Sequence, residues 1–193
     1  MQGARSAFGA RRVDIVSEAV LRTPARLARY VVRRMYWPLL GGFIGTLVLT
    51  TTLTAASELR VTRMDIPFLL GTAWTQDRTR ARVLGYALHF MAGLMFALGY
   101  YAVFVTLGRA GWLLGMALGL VHGLFAGTTL VNVLLPAVHP RMGTPFSASN
   151  ATPLLEPPGF MLLNYGRATP VVTVLGHAVY GAIVGVFVAA GGR

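Results

Sequence analysis

Cysteine is missing from this chain of 193 residues, and so is lysine. Without cysteine there is no disulfide, no thiolate nucleophile, no zinc–thiolate site and no iron–sulfur cluster. The basic residues, 17 in number, are all arginine, as a GC-rich coding sequence would give. Acidic side chains are scarce, at 6, which leaves a formal net charge of +11. Charge of either sign makes up only 12% of the chain, where a soluble domain carries about 25%. No Ser–His–Asp pattern, phosphate loop or dinucleotide fingerprint is present, so no catalytic residue is assigned.

What fills the chain instead is hydrocarbon. Hydrophobic residues reach 55%, and the mean hydropathy is +0.62. Four uncharged runs, at residues 37–56, 83–107, 111–135 and 170–190, are long enough to cross a bilayer, which takes about 20 apolar residues. Helices are the expected form, because strands of a membrane barrel would be shorter and would alternate. The expected fold is an all-α membrane protein: a four-transmembrane-helix bundle over 37–193, with a basic arm over 1–36. The segment TLTAAS in the first run has the look of a cleavage site. The arm before it is far longer than the charged start of a signal peptide, so the run is expected to stay as a helix.

In the arm, Arg22, Arg26, Arg29 and Arg33 fall at i, i+4, i+7 and i+11 and share a helical face. This spacing predicts an amphipathic helix in the membrane interface, facing anionic lipid headgroups rather than nucleic acid. The arm holds eight arginines; Arg109 and Arg193 would join them if both termini faced the cytoplasm, against seven on the far side. That bias predicts cytoplasmic N- and C-termini in a bacterial inner membrane. The two longer connections, 58–82 and 136–169, would then lie outside. The first contains MDIPFLLGTAW, too short to span and apolar enough to rest against the bundle or the interface. The second carries a sequon at Asn150, expected by chance.

Inside the runs a spacing of four recurs. Gly111, Gly115, Gly119, Gly123 and Gly127 form one line, with His122 beside it. Gly42, Thr46, Thr50 and Thr54 form another, as do Gly85, His89, Gly93 and Ala97, and Thr173, His177, Gly181, Gly185 and Ala189. Lipid tails are as apolar as leucine, so such helices are held by close backbone approach across small residues. A line at i+4 winds slowly around its helix, so the run 111–135 is expected to touch two neighbours and to occupy the centre.

Ionisable residues within a span are functional candidates by default. From the run ends, His89 and His177 lie about 9 Å and about 10 Å deep, with His122 deeper, near the middle of its span. Two histidines at one depth on small-residue ridges suit a haem b iron held from both sides; His122 is a lesser candidate ligand. Glu58, Asp65, Glu156 and His139 would gather on the outer side as an alternative metal site. A third chemistry is a proton or small-solute path through His122 and the threonine ridge. The plain alternative is structural: each histidine donates a ring N–H to a carbonyl or to Thr46, Thr50 or Thr54 across an interface. The leading expectation is an accessory membrane subunit without catalysis, packed against other subunits or itself. A small haem- or metal-binding electron carrier stands second, and a transporter third.

Overall fold

The computed structural model describes residues 34–142 and 155–191. Arg22, Arg26, Arg29 and Arg33, the expected interfacial helix and the sequon at Asn150 lie outside the described residues. Contacts divide the chain into two compact units, Met1–Tyr36 and Trp37–Arg193.

The described residues are helical, and four helices are long and apolar enough to cross a membrane. These are α1 (Arg34–Glu58), α3 (Arg78–Leu107), α4 (Trp112–Val138) and α5 (Thr169–Gly191). A short helix, α2 (Ile66–Thr72), precedes α3, and a 3-10 turn (Phe160–Tyr165) precedes α5. The composition and these spans are those of an integral membrane protein.

Local chemistry sets the ends. Asp65 caps α2, its side chain accepting from the Phe68 N–H at 3.0 Å. Asp77 caps α3 in the same way, accepting from the Arg80 N–H at 2.7 Å. Gly108 stops α3 in the left-handed conformation, at φ 65°, where glycine alone carries no steric cost. Helix α4 is regular to Phe125 and then widens into a π-helical stretch over Ala126–Leu134. Pro136, just beyond, has no N–H to give back along the helix. The Asn132 side-chain amide donates to the Gly127 carbonyl at 2.7 Å, five residues back. Widened turns of this kind are rare and cluster at functional sites.

The glycine lines are spent inside the chain. A Cβ on Gly115 would strike the Gly181 carbonyl, one on Gly119 the His177 carbonyl, and one on Gly123 would stand 2.8 Å from the Val174 Cα. Reciprocally, Gly181 lies against the Gly115 carbonyl and Gly185 against that of Gly111. Helices α4 and α5 thus meet backbone to backbone. Across the bundle, Gly42 abuts Ala97, and Gly93 abuts the Thr46 hydroxyl, joining α1 to α3. Gly41 and Gly45 receive Phe187 and Tyr180 of α5. Gly127 faces Met161 of the 3-10 turn, and Gly111 has open space where a Cβ would point.

This corrects the expected centre. Half of the apolar window of α5 is buried, against 33% for α4. Helix α5 carries small residues toward α4 and toward α1, whereas Gly115, Gly119 and Gly123 of α4 all meet α5. The winding of a ridge says how far around a helix it travels, not where the neighbours stand.

Candidate functional site

The threonines of α1 are not the histidines' partners. Thr46 and Thr50 turn their hydroxyls back to the carbonyls of Gly42 and Thr46, at 2.7 and 2.6 Å. In apolar surroundings the carbonyl four residues back is the nearest acceptor a threonine has. Thr54 is exposed.

The three intramembrane histidines come together from three helices. The His122 ring of α4 lies 4.6 Å from the His177 ring of α5, centre to centre, and 3.9 Å from Phe96 of α3. His89 of α3 lines the same cavity as both. The expected level of His122, deeper than the other two, is therefore wrong. The α4–α5 glycine contacts fix an antiparallel register in which His177 lies between Gly119 and Gly123, beside His122. Depths counted from the ends of apolar runs assume that all runs begin at one level, and these do not.

A hydrogen bond to a carbonyl assigns the tautomer of His177. His177 Nδ1 is 2.8 Å from the Thr173 carbonyl, which can only accept. Nδ1 of His177 thus carries the proton, and its Nε2 presents a lone pair. His122 Nδ1 is 3.2 Å from the Tyr100 hydroxyl, whose one partner among the described residues it is. The two share one hydrogen bond, which the phenol or the ring N–H can donate. His89 Nε2 is buried with no hydrogen-bond partner among the described residues. Tyr180 donates to the Gly93 carbonyl at 2.6 Å, locking α5 to α3 beside the cluster.

Above the histidines is a cavity of about 500 Å³. Its wall is hydrocarbon from α1, α3, α4 and α5, including Leu130, Val131 and Leu134 of the widened turns. Along α4 the lining runs from His122 to Val138, roughly 24 Å. Leu69 and Leu70 of α2 and Leu162 of the 3-10 turn close one end. Leu162 and Met161 both hold left-handed backbone, φ 62° and 52°, which costs a branched or bulky residue about 1 kcal/mol or more each. The turn is held by its surroundings. Arg63 pairs with Glu156 at 3.3 Å and also donates to the Asn164 carbonyl. The Tyr165 hydroxyl donates to the Glu156 carbonyl at 2.8 Å. Burial, with Glu156 nearby, pushes the Tyr165 phenol up to about 12.

The cavity is open on one side. The backbones of α3 and α4 make almost no contact, and Phe96 and Tyr100 reach across to His122. Exposed lining residues flank that gap: Met95 on α3, and Leu134 and Val138 on α4. All three are apolar.

Comparison with protein families, curated proteins and solved structures finds no match to this chain. The site is read from its own chemistry.

The expected outer metal set does not assemble. Among the described residues no three His, Asp or Glu side chains are placed to hold a metal ion. Glu58 is exposed at the end of α1, and Asp65 is engaged as the cap of α2. Glu156 pairs with Arg63. His139 is buried, its Nε2 3.2 Å from the Leu69 carbonyl and its Nδ1 accepting from the Arg141 N–H at 3.2 Å. It ties the connection after α4 to α2.

That tie should depend on pH. Burial pushes the His139 imidazole below its ordinary value; the Leu69 carbonyl opposes this, and the Arg141 guanidinium adds to it. The folded chain then binds this proton less tightly than the unfolded chain. The contribution to stability is complete above about pH 6.5 and is lost as the pH falls below it. Amide exchange over residues 139–142, corrected for the intrinsic rate, should be faster at about pH 5 than at about pH 7.5. Equal protection at both would show that His139 carries no such load.

Sequence reasoning missed Phe96, Tyr100, Tyr180 and the cavity itself. The tyrosines were the legible signal: a polar hydroxyl inside an apolar run usually has a partner.

Proposed function

We propose that this protein is a non-enzymatic membrane protein that takes an apolar guest from the bilayer into the cavity between α3 and α4. The observation that carries the reading is the cavity: hydrocarbon walls, exposed apolar residues beside the α3–α4 gap, and three histidines in its lining. Its volume falls within the range of small-molecule sites, which are mostly apolar with a few convergent polar groups. The buried His89 Nε2, without a partner among the described residues, is a group that a guest would satisfy.

An accessory-subunit role rested on small-residue ridges free to meet other chains. Those ridges are consumed between α4 and α5 and between α1 and α3, which removes much of its support. A solute path from Glu58 toward His122 has little behind it, since Glu58 does not line the cavity. For a haem, the contact between His122 and His177 leaves no room for a macrocycle between those two rings. A haem between His89 and His177 would find no arginine in the described cavity lining to meet its propionates.

Protein purified from membranes in mild detergent should yield about one apolar molecule per chain on organic extraction and mass spectrometry. Extracts with no such molecule, from protein that also fails to bind one on titration, would end this reading. A Soret band that shifts on reduction and is lost in His89→Ala or His177→Ala would replace the guest with haem.

A further inference from the structure

The deep end of the cavity also has a chemistry that selects the head of a guest, an inference that rests on the guest-site reading. His122 and His177 are each 9% exposed. Their rings are in contact, 4.6 Å between centres, and both side chains line the cavity. The Thr173 carbonyl holds the Nδ1–H of His177 from behind, which leaves the His177 Nε2 lone pair without a partner among the described residues. The deep end therefore offers an acceptor, His177 Nε2, with His89 Nε2 also unpartnered among the described residues.

We propose that the guest is an uncharged lipid whose head is a hydroxyl, donating to His177 Nε2. A hydroxyl is the smallest uncharged head that can donate there. A ketone or ether only accepts and leaves the His177 lone pair bare. A hydrocarbon leaves it bare as well. A carboxylate or phosphate brings charge into a site whose described lining holds no arginine, and a buried charge without a partner is strongly disfavoured. The hydroxyl can be aliphatic, as in a prenol or diacylglycerol, or phenolic, as in a quinol.

The test uses the full chain, delipidated in detergent and titrated with tetradecanol, its methyl ether, tetradecane, tetradecanoate and 4-octylphenol. The alcohol should bind at least about tenfold more tightly than the ether or the hydrocarbon, with the carboxylate weakest. In His177→Phe that preference should vanish while tetradecane binding persists. Should the variant fail to fold, the probe series on the natural chain still decides. Tighter binding of octylphenol than of tetradecanol assigns the hydroxyl to a phenol, and the reverse assigns it to an aliphatic alcohol. Equal binding of alcohol, ether and hydrocarbon would overturn the hydroxyl head and leave the cavity standing as a guest site. A carboxylate that binds most tightly would also overturn it. Binding of none of the probes would overturn both.

Discussion

Gly119→Leu should abolish the folded bundle. A Cβ at this position strikes the His177 carbonyl and stands 2.7 Å from the Ala178 Cα, and neither is a flexible side chain that can swing away. Inserting bulk into a packed core costs about 1–3 kcal/mol; with helix backbones in the way, the cost here is expected at or above the top of that range. The neighbouring contacts of Gly115 with Gly181 and of Gly111 with Gly185 would open with it. The expected readout is loss of the monodisperse peak in detergent and degradation in cells. Gly99→Leu is the matched control. It lies on α3 with nothing within 4 Å of the added Cβ, so yield and melting temperature should stay as they were. If both variants behave like the natural chain, backbone contact between α4 and α5 does not hold the bundle together.

Ala92→Phe should empty the cavity of its guest without harming the fold. Ala92 lines the cavity from α3, so a phenyl ring there grows into open volume rather than into packed atoms. Filling a cavity commonly stabilises by about 0.5–2 kcal/mol. The guest-free variant should therefore melt at or above the temperature of the natural chain. Guest binding should fall by at least about tenfold, because ring and guest compete for one volume. Unaltered binding would place the guest elsewhere. A large drop in melting temperature would mean that the space is closed in solution.

The sequence announced the bundle plainly. Four long uncharged runs can be little else, and all four are helices in the structure. The spacing of four marked which faces are small, yet it carried no information about which helix lies opposite. That is why Gly115 and Gly119 proved to face α5 alone. The histidines were visible as the exceptional residues of their spans, but their mutual placement depends on the α4–α5 register and so on packing. Thr46 and Thr50 looked like partners because their residue type permits it; a carbonyl four residues back is always closer than a neighbour across an interface. The cavity was beyond reach for a different reason. It exists where the backbones of α3 and α4, consecutive in sequence, stay apart, and no periodic pattern records a contact that is not made.

The central place of α5 also bears on biosynthesis. Of the four apolar helices, α5 leaves the ribosome after α1, α3 and α4, yet Gly41, Gly45, Gly115, Gly119 and Gly123 all wait for it. Until it inserts, those glycine faces lie bare to lipid and the histidine cluster lacks one of its three members. Membrane insertion of this chain is thus a sequence of provisional states completed by a keystone. A nascent chain stalled before residue 169 would present the translocon and the membrane proteases with three unclasped helices.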